Sequence, residues 1–143
     1  MFKKIFVGIL IVAASVCSRA FAEEARPVNE DKVSLEAVQS WLASVDQGQY
    51  DQSWQSTSEY FKSLVTNDQW KTQIQGVRQP MGNVLSREMK TQEHKTSLPG
   101  ALDGNYYVFT FATSFTNKKE AVETVTVMMD KDNQWHAAGY FIK

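Results

Sequence analysis

From residue 104 to residue 142 the side chains alternate in character with a period of two, and only short polar breaks interrupt them. Three strands are expected, over residues 105–115, 119–130 and 134–142. In the first, Tyr107, Phe109, Phe111 and Phe115 share one parity, and Tyr106, Val108, Thr110, Ala112 and Ser114 share the other. Successive strand side chains point to opposite faces, so the aromatic parity is expected to be buried. Glu123 to Met129 is rich in β-branched residues, which suit a pleated surface. Asn117-Lys118 and Lys131-Asp132-Asn133 supply turn chemistry, so the three strands make an antiparallel meander.

The chain before this meander has the helical period. Ser34 is placed to cap a helix carrying Val38, Trp41, Leu42 and Val45, which Gly48 ends. A second helix is expected over residues 50–65, with Tyr50, Trp54, Phe61, Leu64 and Val65 on one stripe. Thr66 and Gln69 form a capping box for a third, through Trp70, Ile74 and Val77 to Pro80 and Gly82. From Asn83 the period returns to two and predicts a first strand reaching Ser97, followed by a loop over residues 98–104. The fold class is therefore α+β, with three helices packed on a curved four-stranded antiparallel sheet. With short hairpins and no bulge, Arg87 falls opposite Phe115, Thr113 opposite Glu123, and Glu123 opposite Phe141. All of these share the inward parity of Val125, Val127 and Trp135.

The motif set Trp41-Leu42 with Asp46, Gly48 and Tyr50, then Ser53-Trp54, Trp70, Arg78 with Pro80 and Gly82, and Ser86-Arg87 is joined by a second group in the sheet. That group is Leu98-Pro99-Gly100, Asp103-Gly104, Tyr106, Phe115, Asn117-Lys118, Glu123-Thr124-Val125-Thr126 and Gly139-Tyr140-Phe141. Together they resemble the bacterial domain of unknown function 4019 family (DUF4019). The resemblance implies an exported single-domain protein and supplies no activity. By analogy of element order, the architecture is similar to the cone of NTF2-like or cystatin-like folds, which host enzymes and binding modules alike.

The beginning of the chain reads as a cleaved signal peptide. Lys3 and Lys4 precede an apolar run from residue 5 to 16, too short for a bilayer, and Ala20-Phe21-Ala22 fits the cleavage pattern. Cutting before Glu23 removes the sole cysteine, Cys17, and leaves 12 basic against 16 acidic residues. Residues 23–32 are then expected to form a flexible polar leader, and residues 33–143 a single domain, exported, with the periplasm the expected compartment. A net negative chain without a basic stripe excludes nucleic acid as partner, and nothing in the mature part would span a membrane.

Arg87 and Glu123 sit on the parity otherwise reserved for the core, where a charge is costly unless paired. They are expected to meet at the mouth of the cone with Arg78 nearby, as a ligand-binding site or as an ion pair that pins register. No metal site and no cofactor is expected. His94 and His136 fall on the outward parity without partner ligands, and neither a phosphate loop nor a Ser-His-Asp triad is visible. Two function classes follow. One is a non-catalytic module binding a small ligand or an envelope protein. The other is a small hydrolase- or isomerase-like enzyme using Glu123 and Arg87, with Asp46 as a second acid. Val122, Met128, Tyr140 and Ile142 are expected on an exposed apolar face that would pair two copies back to back.

Overall fold

The computed structural model describes residues 28–143. The expected signal peptide and the first part of the leader lie outside the described residues. Four helices, α1 (Val28–Asp46), α2 (Tyr50–Gln55), α3 (Glu59–Leu64) and α4 (Asn67–Met81), precede four strands. The strands are β1 (Val84–Lys95), β2 (Tyr106–Phe115), β3 (Ala121–Met129) and β4 (Trp135–Ile142), in an open antiparallel sheet of order β1-β2-β3-β4. The fold is α+β, with the helices on one face of the sheet.

Helix α1 begins six residues before Ser34, so residues 28–32, expected in the flexible leader, are helical. The sheet holds this extra turn: Tyr107 donates its hydroxyl to the Asp31 carboxylate, and Gln92 Nε2 donates to the Asp31 carbonyl at 2.8 Å. Ser34 is thus inside the helix and fully buried, its hydroxyl bonded back to the Asp31 carbonyl at 3.0 Å.

The expected helix over residues 50–65 is two short helices. Thr57 forms an isolated parallel bridge to Ala137, and Ser58 N donates to the Ala137 carbonyl at 2.8 Å. Ser58 then caps α3 by accepting from Phe61 N, while the Asp130 carboxylate accepts from Glu59 N at 2.8 Å. Bonds to the sheet outweigh one continuous helix here, because they satisfy main-chain groups at an otherwise open strand edge. The capping box of α4 is present as expected, with Gln69 N to Thr66 Oγ1 at 3.2 Å and Thr66 N to Gln69 Oε1 at 3.0 Å.

The core joins α1, α4 and the inward side of the sheet through Val38, Trp41, Leu42, Trp70, Phe109 and Val125. Ser53, fully buried, organises two of its indoles. Trp41 Nε1 donates to the Ser53 carbonyl and Trp70 Nε1 to its hydroxyl, each at 2.9 Å. Burial keeps the amphipathic indoles inside only because each N–H has a partner.

Three bulges in the β1–β2 and β3–β4 pairings, and a β2–β3 turn centred one residue earlier than expected, displace the bulge-free register. Arg87 pairs with Thr113, Glu123 with Phe111 on one side and Ile142 on the other, and Val84 with Phe115. The shifts of Arg87 and of Glu123 against β2 are of two residues and leave both on their face, and Phe109, Phe111 and Val125 are inside. The irregularities between Met89 and Thr91, and in β4 opposite Thr126 and Val127, insert one residue each and reverse parity beyond them. His94, expected outward, therefore packs edge-on against Tyr107, 5.0 Å between centroids, and bonds Asn105. Phe141, expected inward, is 61 % exposed, and Tyr140 takes its place.

Candidate functional site

Six elements contribute one side chain each to a single polar cluster. Asp46 ends α1, Arg78 lies in the last turn of α4, and Arg87, Thr113, Glu123 and Tyr140 come from β1, β2, β3 and β4. A cation in the last turn of α4 suits the helix dipole, whereas a carboxylate at the end of α1 opposes it and needs cationic partners.

Arg87 lies between the two carboxylates. Its Nε donates to Glu123 Oε1 at 2.7 Å and its Nη2 to Oε2 at 3.2 Å. On the other side, Nη1 donates to Asp46 Oδ2 at 2.7 Å and Nη2 to Oδ1 at 3.0 Å. Arg78 Nη2 also donates to Asp46 Oδ1, at 2.8 Å. Glu123 is completely buried, and its two oxygens additionally accept from Thr113 Oγ1 at 2.6 Å and from the Tyr140 hydroxyl. A buried carboxylate with four donors has its lone pairs filled, which is the condition for keeping a charge inside.

The electrostatics follow from this arrangement. Burial raises the Asp46 pKa, and the hydrogen bonds from Arg87 and Arg78 more than reverse it, so the carboxyl titrates below its usual range. Burial works against the charge on Arg87, and bonds to Asp46 and Glu123 override it and raise its pKa. Burial, then the Glu123 charge, pushes the Tyr140 phenol up. Arg78 is 5 % exposed and leaves Nε and Nη1 without a hydrogen-bond partner among the described residues. Its guanidinium instead lies over Phe115, 5.0 Å from the ring centroid.

The structure brings Arg87 and Glu123 into contact, as the parity argument expects, and Arg78 joins them through Asp46. Asp46 is the link between the two arginines. Tyr140, expected on an outer face, is instead in this cluster, its ring 5.5 Å from Trp41. The cause is the extra residue Ala138. A glycine inside a strand, Gly139, was the available sign of a bulge. Ile142 also turns toward the helices, lining a cleft of about 200 Å³ with Trp70 and Ile74. Val122 and Met128 alternate with buried neighbours and face the other way. The four residues therefore do not share a face.

His136, expected to stand alone, meets Asp132 with Nε2 to Oδ2 at 2.7 Å and the Ser56 carbonyl at 3.2 Å. Among the described residues no group of three His, Cys, Asp or Glu side chains could hold a metal ion, and no helix is long and apolar enough to cross a membrane. Arg87 also borders a groove of about 310 Å³ between α1 and β1, lined by Leu35, Leu42, Asp46, Met89 and Phe111. Glu123 is not among the residues lining this groove.

The sequence profile of a family described as "Protein of unknown function (DUF4019)" matches residues 37–140. No curated protein and no solved structure matches the chain.

Proposed function

Since the chain belongs to this DUF4019 family, whose description assigns no activity, we propose that it is an exported, non-catalytic module that binds a small ligand in the groove between α1 and β1. The observation that carries this reading is the state of Arg87. Four of the five N–H donors that a guanidinium holds are taken by Glu123 and Asp46. The fifth, on Nη1, takes no part in these bonds, and Arg87 lines a groove of about 310 Å³, within the usual range of small-molecule sites. A ligand with one acceptor oxygen and an apolar body fits this lining, the oxygen on Nη1 and the body on Leu35, Leu42, Met89 and Phe111.

The enzymatic alternative asks Glu123 to act as a base. That carboxylate is buried and fully bonded, so this reading gives it a structural role. Export to the periplasm is proposed from Lys3-Lys4, the apolar run after them and Ala20-Phe21-Ala22.

Native mass spectrometry of the protein purified from its own host under non-denaturing conditions tests the proposal. An added mass is expected, and Met89→Trp, which fills the groove from a side chain already 42 % exposed, is expected to lose it at unchanged melting temperature. A bare chain in the native spectrum, or an added mass that persists in the folded variant, overturns it.

A further inference from the structure

The helices cover one face of the sheet, and the opposite face of β2, β3 and β4 carries no Asp, Glu, Lys or Arg side chain, with His136 at the start of β4 bonded to Asp132. Its outward residues are Val108, Thr110, Ala112 and Ser114, then Val122, Thr124, Thr126 and Met128, then Gly139 and Phe141. The charges gather on β1, as the pairs Glu88–Lys90 and Glu93–Lys95. An uncharged centre bordered by a charged strand is the composition of a protein interface. We propose that this face is where a second copy of the chain docks, sheet against sheet, about a two-fold axis running across the strands at the level of Val125.

The rows of the sheet select that axis. One row reads Thr91, Thr110, Thr124, Phe141, and the next Glu93, Val108, Thr126, Gly139. The rows outside them are Glu88, Ala112, Val122 and Lys95, Tyr106, Met128, His136. An axis between the two central rows lays each row on its counterpart in the other copy, as isologous pairing requires. Phe141, 61 % exposed, then stands over Gly139 of the second copy, and Glu88 meets Lys95 at both rims.

The relief of the face agrees with this pairing at two independent places. A Cβ built on Gly139 would meet only Thr126, at 3.7 Å, an ordinary contact, so the space over this residue is open on the outer face. A glycine beside a bulge thus also leaves room for close approach by another group. At the far end, the 98–104 loop rises over Tyr106, whose hydroxyl bonds the Leu102 carbonyl, and Leu102 is 65 % exposed. The same axis carries that loop to the groove of about 460 Å³ that Ala112 and Val122 of the other copy line together with Glu88, Lys119, Glu120 and Lys143. Four rows about 6.6 Å apart and roughly 19 Å wide present on the order of 500 Å² of flat sheet. Side-chain relief and the inserted loop bring this toward the ~800 Å² per partner of a standard interface.

Sedimentation velocity of the purified protein at increasing concentration tests the proposal, with circular dichroism to check folding. A dimer is expected at tens of micromolar, against an outcome of monomer throughout. Lys95→Glu, on an exposed rim and harmless to the fold, is expected to weaken association about tenfold, and adding Glu88→Lys to the same chain to restore it. Leu102→Asp and Gly139→Leu are expected to give folded monomers. A monomeric parent, a dimer indifferent to Leu102→Asp and Gly139→Leu, or a charge swap that fails to rescue overturns the pairing. Occupancy of the face by residues 1–27 or by a different protein would appear as a monomeric parent.

Discussion

Tyr140 donates its hydroxyl to the Glu123 carboxylate, although adjacent-strand register places Tyr140 opposite Val125 and Glu123 opposite Ile142. The bond is diagonal across β3 and β4, within reach of a long side chain. It exists because the extra residue in β4 turns Tyr140 inward. Through it the last strand joins the same polar cluster as α1, α4 and the other three strands.

Tyr140→Phe removes this donor while keeping the ring against Trp41. Glu123 Oε2 then retains only Arg87 Nη2. Hydrogen bonds to charged groups contribute about 1.5–3 kcal/mol, so urea unfolding is expected to show a loss of that size. An unchanged midpoint would mean the phenol contributes nothing to the cluster.

Arg87→Met uncovers two carboxylates at once, one of them fully buried. Breaking a buried pair from one side costs about 3–5 kcal/mol. The double variant Arg87→Met with Glu123→Gln is expected to recover part of this, because the buried charge has gone. Equal stability of the single and double variants in chemical denaturation would contradict the account.

Asp46 titrates below its ordinary value in the folded chain. A depressed folded pKa gives stability that is fully present above the unfolded value of about 3.9 and is lost as pH falls through the folded value. Asp46→Asn is therefore expected to flatten the acid limb of the stability profile below about pH 4. Tyr140 has the opposite sign: its raised folded pKa holds stability below about pH 10 that is lost at higher pH. Tyr140→Phe should remove that alkaline loss, and melting temperature against pH measures both limbs.

Gly82 has φ +77°, and a Cβ there would lie 1.9 Å from Thr116 Oγ1. Gly82→Ala is expected to destabilise the fold by more than about 1 kcal/mol. Gly139→Ala meets only ordinary contact and is expected to leave chain stability within about 0.5 kcal/mol. Thermal melts at a concentration too low for association compare the two.

Much of the site was legible before any coordinates. Arg87 and Glu123 announced themselves because a charge at a core-parity position must find a partner, and shifts of two in register do not change a residue's face. Asp46 was visible as an acid, but its place between the two arginines depends on how α1 crosses the sheet. Tyr140 was lost because one inserted residue reverses parity, and alternation alone cannot say where a bulge falls.

The sequence by itself determined the class of fold: the period of two in the last forty residues, the helical period before them, and the apolar parity that becomes the core. Those are local properties, fixed by where successive side chains point along a helix or strand. Only the tertiary structure decided where that periodicity breaks. The bridge from Thr57 to Ala137 splits a helix, and the bulge before Gly139 exchanges Tyr140 for Phe141. The first joins segments distant in the chain and the second lies within a hairpin; in both, satisfying buried main-chain groups and a buried carboxylate outweighs the local pattern.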